Sequence, residues 1–493
     1  MSKPLIVGQI TDLHARWAIH GSAGHVDRRS RAVFDLLAQA IAQFKAHKID
    51  LLVVTGDLVD VPTWILEPSD YYHMPIEPWL PLIEADYRRI KAMLDESGLP
   101  YVVLPGNHDY EPVMWQVFDR STNILDIQCA DPRRQAGQST SINHDVPNAQ
   151  CDEPILNASE CRDHSYRVVR FCDREWEDHI PRRFDRERTL WRTMLHDETS
   201  PPQIHLQHYV ITPTVDDSYP HNYLEAEELY NKTVDSGRVV LSLAGHYHHG
   251  SDLLHTANTY FAVGPAFCVF PHSVRIYSVE PDQVQMETIP LCTEPYGVGR
   301  PIIFLDRDGV INDLPSYRTG PEAMRLLPGV AQAIGQLKAA GYAVIVVTNQ
   351  SAVGAGYTSP RIVDMVNDRM CQLMVEAIGD CVAQPDAIMY SIGAGSKAVQ
   401  PQWTDRSVNK PSPQLLQQAQ TLLGLDPTGA WLVGDRLSDL QAARAFGATP
   451  ILVRTGYGAQ SEGALLDGEF NDTHICNDLC AAVSYILHSE SRD

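Results

Sequence analysis

At 493 residues the chain is too long for one ordinary core, and 44% hydrophobic with 20% charged residues supplies two or three folded domains rather than a disordered polymer. A formal charge of −23 argues against a broad nucleic-acid footprint or an anionic membrane surface, leaving only a local basic cleft as a route to nucleic acid. Ten scattered cysteines without a C-x-x-C pair, an opening strand in place of a signal peptide, and no apolar run near the ~20 residues of a spanning helix point to a soluble, cytoplasmic protein with reduced thiols.

Leu5 to Ile10 reads as a strand that ends at Asp12 and His14. Apolar residues at helical spacing (Val33, Leu36, Leu37, Ala40, Ile41, Phe44) predict a helix over 31–47. Leu51 to Val54 is a second strand, running into Gly56, Asp57 and Asp60. A helix over 81–97 precedes a third strand, 101–104, which delivers Asn107 and His108. This β-α-β-α-β order marks a layered α/β sheet. Periodicity fails from 111 to 157, read as an irregular insertion: a lid, a homo-oligomer contact, or a plain surface loop. Strands follow at 166–172, 204–209 and 239–244, with a helix at 188–195. Alternating stretches from 260 to 289 complete a second sheet. His205 and His208 lie on one of these strands, and His246 and His248 follow another.

Residues 293–300 hold a proline and two glycines without periodicity and read as a linker. A fresh series then alternates strands (302–305, 343–347, 387–390, 430–433, 450–453) with helices (330–340, 359–378, 412–423, 437–446). The predicted domains are 1–292 and 301–493, both α/β.

The first domain places carboxylates, an amide oxygen and imidazoles after successive apolar runs. Such a mixed N/O set suits two borderline or hard divalent metals, with Asp57 as the candidate shared ligand. The motifs D-x-H, G-D-x-x-D, G-N-H-D, a strand-end His and G-H-x-H occur once each, and in that order over residues 4–290 the chain resembles the calcineurin-like metallophosphoesterases. It looks most like their cyclic-nucleotide phosphodiesterase branch. The resemblance implies an α/β/β/α two-sheet sandwich. One metal would take Asp12, His14, Asp57 and His248, and the other Asp57, Asn107, His208 and His246, with Mn, Fe or Zn all suited. It also makes His108 the group that protonates the leaving oxygen. Where the family usually has His-His-Pro, this chain has His208-Tyr209-Val210. His205 is read as a core histidine on the strand's other face, and Arg16 as either a phosphate contact or a surface residue.

Residues 302–458 resemble the haloacid-dehalogenase phosphatases, more narrowly the group with histidinol-phosphate and heptose-bisphosphate phosphatases. The match runs through Phe304-Leu305-Asp306-Arg307-Asp308, Val347-Thr348-Asn349, Lys410-Pro411 and Gly434-Asp435 to Asp439. It implies a Rossmann-like domain without a large cap. Asp306 would be the nucleophile that forms an aspartyl-phosphate, and Asp308 the acid and base. Mg would sit on Asp306, Asp435 and the carbonyl of Asp308. Thr348 and Lys410 would neutralise phosphoryl oxygens, Asp439 would support them, and Arg307 and Asn349 would meet substrate. The group's zinc loop lacks its Cys and His between Ser391 and Asn409, so no structural zinc is expected. Its usual arginine before the lysine is Asn409 here.

Together these readings predict a bifunctional phosphate-ester hydrolase acting on small molecules: a two-metal phosphodiesterase and a Mg-dependent phosphomonoesterase, with consecutive steps suggested by the fusion. Nucleotide-sugar or heptose-type processing and nucleic-acid end processing are the alternatives. A regulatory protein with one sensing domain would show a degenerate site, and both constellations are complete.

Overall fold

The computed structural model describes residues 3–21, 27–67, 74–128, 165–216, 219–294, 299–313, 320–380, 383–465, 470 and 473–489. The chain forms two compact units, one of residues 1–15, 31–61 and 83–293, the other of residues 16–30, 62–82 and 294–493. Two early stretches therefore belong with the late half, which no linker-like composition marks.

The first unit holds two sheets. Strands β1 (Leu5–Ile10), β2 (Leu51–Thr55) and β3 (Tyr101–Leu104) run parallel. Strands β4 (Ile124–Gln128), β5 (Ser165–Arg170), β6 (Arg174–Glu175), β7 (Pro181–Arg182), β8 (Gln203–Leu206), β9 (Val239–Ala244), β10 (Leu254–Thr256), β11 (Thr259–Val263), β12 (Ser273–Val279) and β13 (Val284–Pro290) follow. One sheet has the order β13-β12-β1-β2-β3 and the other β10-β11-β9-β8-β5-β4, with β6 and β7 as a separate ribbon. Leu5, Val7, Leu51 and Val53 of the first sheet share a core with Val168, Ile204, Leu206, Leu241 and Leu243 of the second. That is the two-sheet sandwich expected, because strands covered on both faces read as continuous apolar runs.

Two details differ from the sequence reading. Strands β12 and β13 return to the first sheet, β12 pairing antiparallel with β1, instead of completing the second. The start of the supposedly irregular insertion is regular: Glu111–Val117 is helical, and β4 closes the edge of the second sheet against β5. Both elements are too short to show a period. Residues 129–157 of that stretch lie outside the described residues.

The second unit is built on six parallel strands: β14 (Pro301–Leu305), β15 (Ala343–Asn349), β16 (Ala387–Ser391), β17 (Asp426–Gly434), β18 (Thr449–Val453) and β19 (His474–Cys476), in the order β16-β15-β14-β17-β18-β19. Alternate residues of β14 face opposite layers. Ile302 and Phe304 meet Leu415 and Leu416 of helix Gln414–Leu423, while Ile303 and Leu305 lie with Ile334, Met370 and Val483 of three other helices. Helix Pro360–Ile378 also binds the two early stretches. Asp368 accepts from Trp64 Nε1 at 2.9 Å and pairs with Arg16 at 3.5 Å, and Gln384 Oε1 accepts from Gly21 N at 2.8 Å. Arg16 is therefore buried and turned to Asp368, which corrects the surface-or-phosphate reading. No helix among the described residues is long and apolar enough to cross a membrane.

Candidate active sites

In the first unit the ends of β1, β2, β3, β8 and β9 deliver the metal-type residues into one cluster. Asp57 lies at its centre, its Oδ2 3.4 Å from both His14 Nε2 and His208 Nε2. Asp12 Oδ1 is 3.7 Å from His248 Nε2, and Asn107 Oδ1 is 3.2 Å from His208 Nε2. Three overlapping groups have donor atoms within 4.8 Å of one another: Asp12, His14 and His248; His14, Asp57 and His108; and Asp57, His208 and His246. These distances bring together all eight residues singled out from the sequence.

The backbone is strained where the ligand types sit. Asp12, His14, Asp57 and His246 all have positive φ, between 44° and 68°. Non-glycine residues held this way are uncommon and cluster at functional sites. Gly56 has a physical duty, because at φ +101° a Cβ there would lie 2.2 Å from His208 Nδ1. That nitrogen faces the Thr55 carbonyl oxygen at 2.8 Å, which leaves Nε2 to face Asp57.

Charge is poorly balanced inside this cluster. Burial pushes Asp12 up to about 6. Burial also opposes the charge on Asp57, but His208, His108 and His14 outweigh it and hold the carboxyl well below its usual range. Burial and the neighbouring His208 hold His246 well below the usual imidazole value, and its Nε2 is buried without a hydrogen-bond partner among the described residues. Burial works against a charged His208, but Asp57 outweighs it and raises that imidazole to about 9. Buried carboxylates beside imidazoles are a donor set that fits divalent cations.

Sequence reasoning missed three supporting carboxylates. Asp60 Oδ1 sits 3.2 Å from both His14 Nδ1 and His108 Nδ1, and its hydrogen bond to His14 fixes that ring. Asp109 accepts from the backbone N–H of Leu58, Val59 and Gly106, tying the β2 and β3 turns together. Both were visible as the last letters of their motifs. Glu175, on the two-residue strand β6, had no signal. His205 is a core histidine, as read: it is buried, faces Gln203 Oε1 at 2.8 Å and packs edge-on against Phe171.

In the second unit the site forms where β14, β15 and β17 end. Lys410 Nζ donates to Asp306 Oδ1 at 2.8 Å and to the Val347 carbonyl at 2.7 Å, and pairs with Asp439 at 2.7 Å. Burial pushes Asp306 up to about 7 against the pull of Lys410, and burial likewise brings Asp435 to about 6. Burial opposes the charge on Lys410, but Asp306 and Asp439 outweigh it and hold the ammonium protonated. Asp306, Asp435 and Asp439 have oxygens within 4.8 Å of one another, and Asp435 Oδ1 is buried without a hydrogen-bond partner among the described residues. Three carboxylates around one ammonium fit a hard cation with oxygen preference.

Asp308 is positioned by three neighbours. Arg307 donates to both its oxygens at 3.0 Å, and Asn312 Nδ2 and Gln350 Nε2 donate at 3.1 and 2.9 Å. Burial opposes its ionisation, but Arg307 and the amide donors hold the carboxyl below its usual value. Arg307 and Asn349, expected to meet substrate, line the cavity and also bond within the protein. Arg307 is buried between Asp308 and Asn367, and Asn349 pins the backbone of Lys410, donating to its carbonyl and accepting from its N–H. Burial obliges the Arg307 donors to pair within the protein. Thr348 lines the cavity, which has a volume of about 510 Å³ and is also lined by Asp306, Met324, Ile362, Val363, Arg406 and Arg436. The loop where zinc ligands are lacking is knit by backbone bonds and by Asn409, whose Nδ2 donates to the Gly393 carbonyl at 3.0 Å.

A family model of calcineurin-like phosphoesterases matches residues 5–250, and one of HAD-like hydrolases matches residues 407–482. The D-glycero-beta-D-manno-heptose-1,7-bisphosphate 7-phosphatase of Pseudomonas aeruginosa is 34% identical over 193 residues, covering 38% of this chain and 99% of the relative. The chain joins a calcineurin-like phosphoesterase to a HAD-like phosphatase. The HAD-like half is also 34% identical over 196 residues to the heptose-bisphosphate phosphatase of Thermosynechococcus vestitus, covering 95% of it. Among solved structures, the Bordetella bronchiseptica D,D-heptose 1,7-bisphosphate phosphatase complexed with magnesium and phosphate is 30% identical (38% of this chain, 99% of that one, TM-score 0.34). A dimetal phosphatase from Danio rerio is 14% identical (58% and 96%, TM-score 0.39). This calcineurin-like and HAD-like pairing makes the protein a phosphate-ester hydrolase of families that use divalent metals.

Proposed function

We propose that the chain is bifunctional, cleaving phosphodiesters in its calcineurin-like half and phosphomonoesters in its HAD-like half. The observation that carries the reading is that each half has a full set of chemical groups. One is the Asp57 carboxylate, whose Oδ2 is 3.4 Å from two imidazoles, and the other is the Lys410 ammonium bound to Asp306.

In the first half, Asp12, His14, Asp57 and His248 would hold one cation and Asp57, Asn107, His208 and His246 the other. Mn, Fe or Zn would supply charge neutralisation and water activation there. His108, its Nδ1 turned to Asp60, presents its other nitrogen for proton delivery to the leaving oxygen. In the second half, Asp306 attacks phosphorus and the bond to the alcohol breaks. Asp308 gives that alcohol its proton, then takes one from the water that cleaves the aspartyl-phosphate. Lys410 and Thr348 offset charge on the phosphoryl oxygens, and Mg on Asp306 and Asp435 would add a Lewis acid.

A cyclic nucleotide converted to nucleoside through its monophosphate would use both halves in sequence. A second reading, a heptose-type sugar phosphate as the substrate of the HAD-like half, is favoured by the names of its relatives. Asn409 in place of the group's arginine counts against it, because a cation for a second phosphate is missing. Incubating 2′,3′-cyclic AMP with the protein, Mn²⁺ and Mg²⁺ should give adenosine through AMP, and Asp306→Asn should stall at AMP. Absence of turnover would rule out this substrate.

A further inference from the structure

The imidazoles of the calcineurin-like site differ in what their second nitrogen faces. His14 Nδ1 meets Asp60 at 3.2 Å and His208 Nδ1 meets the Thr55 carbonyl at 2.8 Å. Among the described residues His246 Nε2 is buried without a hydrogen bond, and the acidic oxygen paired with it is Glu175 Oε1 at 3.8 Å. Glu175 belongs to none of the candidate metal groups among the described residues, so it stands beside the ring and outside the ligand set. It is itself held, accepting from the Tyr219 hydroxyl at 2.8 Å with His179 Nδ1 3.6 Å from its other oxygen. Rings of Tyr209, Tyr219 and His221 pack around His246 at centroid distances of 4.9, 5.6 and 5.1 Å.

We infer that Glu175 is a positioning residue for the dinuclear site, orienting His246 through Nε2–H so that Nδ1 is left for the cation shared with Asn107 and His208. Tyr219 fixes the carboxylate that does this. A carboxylate behind a ligating histidine sets its tautomer and raises its basicity, and losing one lowers metal affinity by about 10–100-fold. The inference rests on the two-metal reading above and adds a residue that no motif marks.

The test is a Mn²⁺ titration of the full chain, stripped with chelator, followed by the electron paramagnetic resonance signal of an exchange-coupled Mn pair. That signal belongs to the dinuclear site and ignores a lone ion in the HAD-like half. Glu175→Gln should need about 10–100-fold more free Mn²⁺ to form the pair, Glu175→Asp should recover most of the loss, and Tyr219→Phe should shift it at least threefold. A coupled pair forming in Glu175→Gln at the wild-type concentration overturns the inference. Should Glu175→Gln fail to fold by circular dichroism, Tyr219→Phe decides, and an unchanged titration there overturns it equally. A wild-type protein that never gives a coupled pair would instead sink the two-metal reading.

Discussion

His205 allows a stability prediction independent of either reaction. Its ring is buried beside Phe171, and burial, with the Arg183 cation nearby, pushes its pKa down to about 3. In the unfolded chain the same imidazole titrates near 6.5. The folded state binds its proton less readily, so its contribution is complete above about pH 6.5 and declines as pH falls toward 3. The gap of roughly 3.5 units at ~1.36 kcal/mol each sets an upper value of about 4–5 kcal/mol, of which about 2 kcal/mol is already lost at pH 5. His205→Phe keeps a neutral ring against Phe171 but strands Gln203 Oε1, which lowers stability at pH 7.5 by about 1–3 kcal/mol. The deciding quantity is the pH slope. Urea unfolding between pH 7.5 and 5, followed by fluorescence, should show the wild type losing about 2 kcal/mol more than the variant. Other buried acids contribute equally to both proteins and cancel. Parallel curves would refute the claim that a neutral, desolvated imidazole sits at this position.

Asp57→Asn should lower diester hydrolysis by at least about 10³-fold while leaving monoester hydrolysis intact, and Asp306→Asn should do the reverse, as losing a central catalytic group does; bis-p-nitrophenyl phosphate and p-nitrophenyl phosphate assays would check both. Lys410→Met leaves Asp306 and Asp439 buried without their cation, so a thermal melt should report roughly 3–5 kcal/mol of lost stability alongside lost phosphatase activity. Gly56→Ala forces a Cβ toward His208 at positive φ, with an expected cost of about 1–3 kcal/mol in urea unfolding and a weaker diesterase. Chelation should silence both activities, with Mn²⁺ restoring diester and Mg²⁺ monoester cleavage.

The sandwich and the Rossmann-like sheet were legible because buried parallel strands read as uninterrupted apolar runs, and motif residues at strand ends have nowhere else to point. Helix Leu437–Phe446 was predicted to the residue, its apolar positions being regular. Helices Ala226–Ser236 and Leu479–Ser489 were missed, the first because it buries few side chains. What a motif residue does for its neighbours was harder to read. Arg307 follows the proposed nucleophile and Asn349 follows Thr348 in sequence, yet their side chains also bond Asp308 and the Lys410 backbone, which only side-chain contacts reveal. Glu175 was invisible, since its role depends on β6 lying beside a histidine seventy-one positions away.

The composition of the second unit bears on how such a chain could ever be divided. A protease nick or a gene break at the 293–300 linker would not release a finished HAD-like hydrolase, because Asp368 and Gln384 would lose Arg16, Trp64 and Gly21. Each of those stretches follows directly on a metal-site motif, D-x-H in one case and G-D-x-x-D in the other. Inheritance therefore links the two halves: a lineage could replace Asp57 or Asp306 one at a time, but it could not drop the early part of the coding sequence without removing Arg16, Gly21 and Trp64 from the second unit.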